Sequence, residues 1–546
     1  SGYYALAEDL DASGTTYTSS VVKTFGGTFA GLGHTVDNLT ISAASTNSIG
    51  LIGIASTGSV LRDIGLTDVD IEGGMYVGAL IGSAPGVLTV TGAYSTGSLK
   101  GKSYVGGLIG RISGDASAES IISYCYSSVD VTANNSGNAL GGLIGNLGVN
   151  IYVSHTHATG DVTGNNGYIG GLIGRIYSGF ISSVVTSVDL SYATGNVKNE
   201  GTPSSTYTAH SAGGLIGGAT SEMASIQISN SFSTGEVYGV ALVGGLIGYG
   251  INVDINNAYH TTGTVTSTGY LRVSAISEDT SATGGLAGAL VGSDVSNSFS
   301  TADVISTLDT YNASGIGGLI GYFSGRSGGG PMSTITNSFA TGKVTGTSSS
   351  SAVGGLVGNI SWGNIDNCYA NTTVTGGFAV GGLVGNAYSA KSSTVTDVVN
   401  ITNSTAYGTV NGLYYVGGIV GYANDHTFSD GTTVTHGGAF VSNSTSYTNV
   451  SGADYVGGIA GFGNIINDST AHGTVTSTDP NATSVGAISG FNLFNDISTG
   501  NSYSPSTSYT VATTPTTTSV TGTSPGEVAA TTAADATSAA ATSASS

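Results

Sequence analysis

The 546-residue chain holds 90 glycines, only 8% charged residues and a formal charge of −21, from 32 acidic and 11 basic side chains. That balance excludes a nucleic-acid partner, because a phosphate-binding face needs clustered Lys and Arg. Apolar residues, 39% of the chain, fall in short Val-, Ile-, Leu- and Tyr-rich blocks separated by Gly, Asn, Ser and Thr, which is how strands and turns alternate.

The chain begins at Ser1 without an initiator Met and has no apolar run of transmembrane length. It reads as a mature form whose signal segment is gone, placed outside the cell or on its surface. Residues 1–45, with "YYALAEDLDASG" (3–14) and "FGGTFAGLGHTVDNLTI" (25–41), are expected to form a lead-in and cap over the first strand edge. "EDLDASG" (8–14) and "DVDIEGG" (68–74) carry oxygen-rich spacings of the kind that hold calcium, but neither has the full calcium-loop pattern. A turn or a solvated edge accounts for both, so no cofactor is required and calcium stays a minor alternative.

From residue 46 to 498 a six-residue core returns, as in "VGGLIG" at 105–110, with degenerate copies ending at Gly53 and Gly490. Fourteen copies occur, their last glycines 27 residues apart at the closest (Gly358 to Gly385) and 43 at the widest (Gly174 to Gly217). After each core comes a second element, such as "ISNSFSTGEV" (228–237) or "ITNSFATGKV" (335–344). No helical periodicity interrupts this order. The prediction is an all-β fold, a right-handed parallel β-solenoid of about 14 irregular coils with three short strands per coil. One coil cannot bury its own apolar face, whereas stacked coils share a continuous core.

Stacking turns repeated positions into ladders. Gly106, Gly107, Gly110, Gly170, Gly171 and Gly174 are read as structural, at a corner where a Cβ would block either positive φ or close approach. Asn230, Asn297, Asn337, Asn367, Asn403 and Asn443 are candidates for a ladder of side-chain amides. Cys125 and Cys368 share one repeat position, too many coils apart for a disulfide, and are read as buried small residues. His155 and His157 have a spacing that suits two metal ligands, but they fall at the Asn and the aromatic position of the repeat and lack a third ligand. Arg111 and Arg175 each follow a core glycine in "GLIGRI" and are read as a repeat position, not a catalytic pair. A carbohydrate-cleaving β-helix would need converging carboxylates and basic residues, which are scarce here, so no enzyme is expected.

Eleven Asn-x-Ser/Thr sequons permit glycosylation: Asn38, Asn134, Asn312, Asn359, Asn371, Asn400, Asn403, Asn443, Asn449, Asn467 and Asn481. Residues 499–546 become a Ser/Thr/Ala-rich tail, read as a stalk or as a segment ordered by packing on a neighbouring subunit.

The repeated "VGGLIG", "VGGLVG" and "VGGIAG" cores, each followed by elements like "ITNSFATGKV", resemble the GLUG-motif repeats of bacterial and archaeal surface proteins and adhesins. The lead-in is similar to the segment that precedes such repeats in secreted haemagglutinin-like β-helix proteins. The resemblance implies an exported scaffold of a bacterium or archaeon. The expected function is structural or adhesive, a subunit of a fibre, sheath or surface layer that contacts itself head to tail. A surface carbohydrate-binding or carbohydrate-cleaving β-helix is the alternative.

Overall fold

The structure, a computed structural model, describes residues 2–133, 138–179, 184–201, 210–269, 271–272, 279–309, 314–325, 332–388, 398–424, 428–429, 434–435, 439–463, 465–491, 501–503, 508–512 and 517–521. Strands are its regular elements; among the described residues there is no helix. The chain divides into two compact units, Ser1–Val265 with Leu271–Glu278, and Thr266–Tyr270 with Asp279–Ser546.

One coil of the first unit shows the plan. Ser103–Gly106 lies in wall 1, Ile109–Gly114 in wall 2, Ser120–Ser123 in wall 3 and Tyr126–Ala133 in wall 4. Each pairs in parallel with its counterpart one coil later: Val105 with Leu140, Ile109 with Ile144, Ile122 with Val153, and Tyr126 with His157. The second unit repeats the plan with Ser351–Gly354, Val357–Ser361, Gly363–Asp366 and Tyr369–Thr375. These too pair in parallel with the next coil. The fold is a parallel β-solenoid, as the repeat predicts.

The number of strands per coil is corrected from three to four. The six-residue core is not one strand. It straddles a corner, so that Val105 and Gly106 end wall 1 while Ile109 and Gly110 open wall 2. One motif therefore feeds two walls.

Inward positions hold the units together. Val105, Leu108, Ile109 and Ile112 are fully buried, and so are their counterparts Leu140, Leu143, Ile144 and Leu147. Burying a Leu or Ile side chain contributes about 1.5–3 kcal/mol, and this unit of core is renewed at each coil. Leu108 N–H donates to Leu143 O at 2.9 Å, and Leu143 N–H to Leu172 O at 2.9 Å, so the corner backbone is satisfied by the next coil.

The lead-in joins the stack. Gly2–Ala5 pairs with Gly27–Ala30 in wall 3, and Val22–Phe25 with Ile52–Ala55 in wall 2. Past residue 498, Ser502–Tyr503 and Ser508–Ala512 continue wall 4 of the second unit on Thr470–Ala471 and Val475–Ser477. Thr517–Thr521 then folds back antiparallel on Ser508–Ala512. The first part of the tail is thus laid on its own chain, while residues 522–546 lie outside the described ones.

Candidate functional surface

The core glycines Gly106, Gly107, Gly110, Gly170, Gly171 and Gly174 mark the corner between walls 1 and 2, and none of them has a positive φ. Crowding demands them. A Cβ on Gly106 would fall on Ile109 O, one on Gly107 on both Gly142 O and Ser127 Oγ, and one on Gly110 within 2.6 Å of Val77 N. The pattern repeats a few coils on, where Gly170 faces Ile173 O, Gly171 faces Gly214 O and Gly174 lies 2.6 Å from Gly145 O. Of the two reasons offered by the sequence, close approach applies and left-handed backbone does not.

Left-handed backbone recurs instead in wall 1, at Tyr76, Tyr104, Ala352, Ala379, Tyr415 and Tyr455, and at the corner between walls 3 and 4. Asn230, Asn297, Asn337, Asn367, Asn403 and Asn443 all have φ between 47° and 52° there. Asn tolerates this region better than other residues with a side chain because its amide can bond locally. The side chains are exposed, and their amides bond in short runs. Asn367 Nδ2 donates to Asn337 Oδ1 at 2.7 Å and Asn257 Nδ2 to Asn230 Oδ1 at 2.8 Å. Asn230 and Asn403 donate to the carboxylates of Asp189 and Asp366, each at 2.7 Å.

The residue after each Asn forms a buried column that sequence reasoning missed. Ser404 Oγ donates to Thr402 O at 2.7 Å and accepts from Cys368 N–H at 3.2 Å; Ser444 accepts from Ser404 N–H at 3.2 Å. Ser191 and Ser231 do the same in the first unit. The tight corner tilts these N–H groups away from backbone acceptors, and the hydroxyl one coil on takes them. The repeated "NS" of "ISNSF" and "ITNSF" was the available signal. Cys125 and Cys368 occupy this column, both free and buried, and burial pushes each thiol up to about 12. Neither is a nucleophile at neutral pH.

Outward on wall 4 runs a stack of rings. Tyr94, Tyr126, His157, Tyr192, Phe232 and Tyr259 follow one another with centroids 4.7–5.1 Å apart and planes within 6° of parallel. In the second unit Phe299, Phe339 and Tyr369 stack likewise at 4.7 Å. The aromatics therefore face solvent, and each ring covers its neighbour's face. Edges and hydroxyls are all that this ladder offers to a ligand. His157 is one member of it, and His155 stacks on Tyr124 at 4.7 Å. Among the described residues no group of three His, Cys, Asp or Glu side chains is placed to hold a metal.

In "EDLDASG" the carboxylates are taken up locally. Asp9 accepts from Thr35 N–H at 3.0 Å and from the His34 ring at 3.1 Å, and Asp11 from Ser13 N–H and Asn38 Nδ2 at 3.0 Å. Backbone N–H groups are the main cause that holds both carboxyls below their ordinary range.

The sequons divide by exposure. Asn38, Asn371, Asn403, Asn443, Asn449 and Asn481 are exposed, Asn400 and Asn467 are half-buried, and Asn134 and Asn312 lie outside the described residues. Asn359 is corrected: it is 6% exposed, paired in wall 2 between Tyr322 and Asn386, and offers no room for a glycan in the folded chain.

Wall 2 of the first unit carries a concave site. Arg111, Asn146 and Arg175 share one register line over three successive coils. The Arg111 guanidinium lies over the Tyr76 ring at 5.3 Å, its Nη1 donating to Tyr76 Oη at 3.3 Å. Arg175 lies over two rings, Tyr168 at 5.0 Å and Tyr177 at 4.8 Å. Arg111, Asn146, Arg175 and Tyr177, with Tyr104 and Ser113, line a cavity of about 320 Å³. Among the described residues no carboxylate pairs with either guanidinium, and Arg175 Nε is buried without a hydrogen-bond partner. The repeat register explains why the two arginines line up. It does not explain why neither faces a carboxylate.

Comparison with known proteins places the repeat. The family described as the GLUG motif matches residues 101–132 and 349–375. The chain thus carries the GLUG motif in each of its two units. Each match spans one coil through all four walls, Ser103–Gly106 to Tyr126–Ala133 in the first case and Ser351–Gly354 to Tyr369–Thr375 in the second. One GLUG motif is one coil, and the first carries Arg111. The chain is also similar to halomucin of Haloquadratum walsbyi, 32% identical over 148 residues, which is 25% of this chain and 2% of that protein. The chain thus spans a small fraction of the length of this curated relative. No solved structure matches it.

Proposed function

We propose that this GLUG-repeat chain is a structural or adhesive protein of a cell surface, not an enzyme, in which stacked coils form the scaffold and outward positions make the contacts. It acts outside the cell of a bacterium or archaeon, and its exposed sequons are glycosylated there. It assembles with copies of itself head to tail, without covalent links, into a fibre, sheath or layer. The likeness to halomucin over one stretch and the GLUG motifs support the surface setting.

The observation that carries this reading is the stacked plan itself, four parallel walls whose inward residues are buried while the outward positions differ from coil to coil. Stacked coils of this kind give a stiff scaffold with extended contact surfaces. Electron microscopy of the purified protein tests this: regular filaments or sheets support it, and monodisperse particles at all concentrations refute it. A second reading, binding of surface carbohydrate, is supported by the pocket between Arg111 and Arg175.

A further inference from the structure

We infer that the Arg111–Asn146–Arg175 pocket binds an anionic glycan, a polymer whose sugar units carry carboxylate or sulfate groups. This rests on the carbohydrate-binding reading and is independent of whether the chain forms filaments.

A chain with a net charge of −21 repels polyanions at long range, so an anion that binds must be recognised by a local device. Arg111 and Arg175 are such a device. A guanidinium is a planar fork matched to carboxylate and sulfate oxygens. Here both forks lie over rings, Arg111 on Tyr76 and Arg175 on Tyr168 and Tyr177, contacts that restrain them before binding and reduce the freedom lost on it. Neither has a carboxylate partner among the described residues. The buried, unpartnered Nε of Arg175 is a donor whose desolvation nothing in the free chain offsets.

Two coil steps separate the arginines in register, about 9.6 Å at ~4.8 Å per step, and Asn146 stands between them. A regular polymer with one anionic group per fixed length meets both forks and offers hydroxyls to Asn146, Ser113 and Tyr104. An acidic peptide has flexible side chains without that fixed interval. The cavity of about 320 Å³ lies at the small end of ligand pockets, which suits a sugar unit held by each anionic group more than a folded domain.

In the second unit the corresponding wall 2 positions are Ala289, Tyr322, Asn359, Asn386, Tyr422, Phe462 and Phe491. Alanine, aromatic or amide side chains therefore satisfy the fold at this position, and arginine is not needed for stacking. They also supply a conservative test, since Arg→Asn copies a choice that the repeat itself makes.

The experiment is calorimetric titration of the full chain with a uronate hexamer, a neutral hexamer of the same linkage, inorganic sulfate and a poly-glutamate peptide. The uronate hexamer is expected to bind, and the neutral hexamer not to. Arg111→Asn with Arg175→Asn should weaken uronate binding at least tenfold with an unchanged melting temperature, each single variant falling between. A readout on the unmodified protein stands beside it: the uronate hexamer should block phenylglyoxal modification of Arg111 and Arg175, read by peptide mass spectrometry. Equal uronate affinity in the double variant, or modification of both arginines unaffected by the hexamer, overturns the proposal. So does poly-glutamate binding as tightly as uronate, or sulfate binding without any gain from the polymer. Filament formation unchanged in the double variant leaves the assembly reading standing whatever the titration gives.

Discussion

The inner and outer faces of wall 2 obey different rules. Inward, Ile109, Ile144 and Ile173 in the first unit and Ala287, Ile320, Val357, Val384, Val420, Ala460 and Ser489 in the second are all fully buried, small or aliphatic in nearly every coil and never charged. Outward, at the next register line but one, the first unit places Arg111, Asn146 and Arg175 where the second places Tyr422, Phe462 and Phe491. In the second unit this face is closed by rings, Tyr422 on Phe462 at 5.0 Å and Phe462 on Phe491 at 5.5 Å. In the first unit it opens into the arginine pocket. Stacking fixes what the coil needs inside and leaves the outside free to differ, so ligand chemistry belongs to the outward positions.

The comparison breaks most severely if the corner is filled. Gly107→Val would drive a side chain into Gly142 O and Ser127 Oγ, and the expected loss is above ~4 kcal/mol, seen as early melting and as proteolysis around residues 103–145. Gly14→Ala is the control, because no atom lies within 4 Å of a Cβ there, and it should stay within about 0.5 kcal/mol.

A buried histidine gives the next largest effect. His260 is fully buried in wall 4 behind the rings, its Nδ1 3.1 Å from Ser233 Oγ, and burial pushes its imidazole down from 6.5 to about 4. The unfolded chain takes up the proton first, so this contribution is complete above pH 6.5 and is lost as pH falls from there toward 4. The loss should reach on the order of 3 kcal/mol. His210, also buried, is lowered in the same direction by the same cause. Thermal melts from pH 7.5 to 4 should show the decline, and His260→Ser should flatten part of it. A flat profile in the unmodified chain would contradict the placement of His260.

Smaller still is the loss at the serine column. Ser404→Ala strands the Cys368 N–H, for about 1–3 kcal/mol, whereas Ser404→Cys should recover part of it, because Cys fills the same position at 125 and 368. Arg111→Asn with Arg175→Asn should cost least, within about 0.5 kcal/mol. A large loss there would make the arginines part of the scaffold and erase the difference between the two faces.

Much of this was legible in the repeat. The spacing of "VGGLIG" copies announces a parallel solenoid, and the apolar letters of the core are the buried residues. The fourth wall was hidden because the core reads as one apolar run, yet its paired glycines turn a corner between Val105 and Ile109. The Asn positions were visible, but letters do not carry φ, so an amide ladder was expected where a left-handed corner dictates the residue. The serine beside each Asn looked like polar filler until the corner N–H groups were in place. Arg111 and Arg175 were legible as a register and Tyr177 as the next outward residue of the same strand, while Tyr168 comes from wall 1 of that coil and Tyr76 from wall 1 of the coil before Arg111, contacts that only the stacking reveals.

The register itself is the claim on which the rest depends, and cysteine trapping tests it directly. Ser98 and Asp130 are exposed partners in neighbouring coils of wall 4, and the two native thiols, pushed up to about 12, should stay silent. Ser98→Cys with Asp130→Cys should close a disulfide under mild oxidation, since parallel partners fall within the Cα separation that a disulfide spans, while Ser98→Cys with Thr132→Cys should close far more slowly. If the second pair closes as readily as the first, the coils are not stacked in this register.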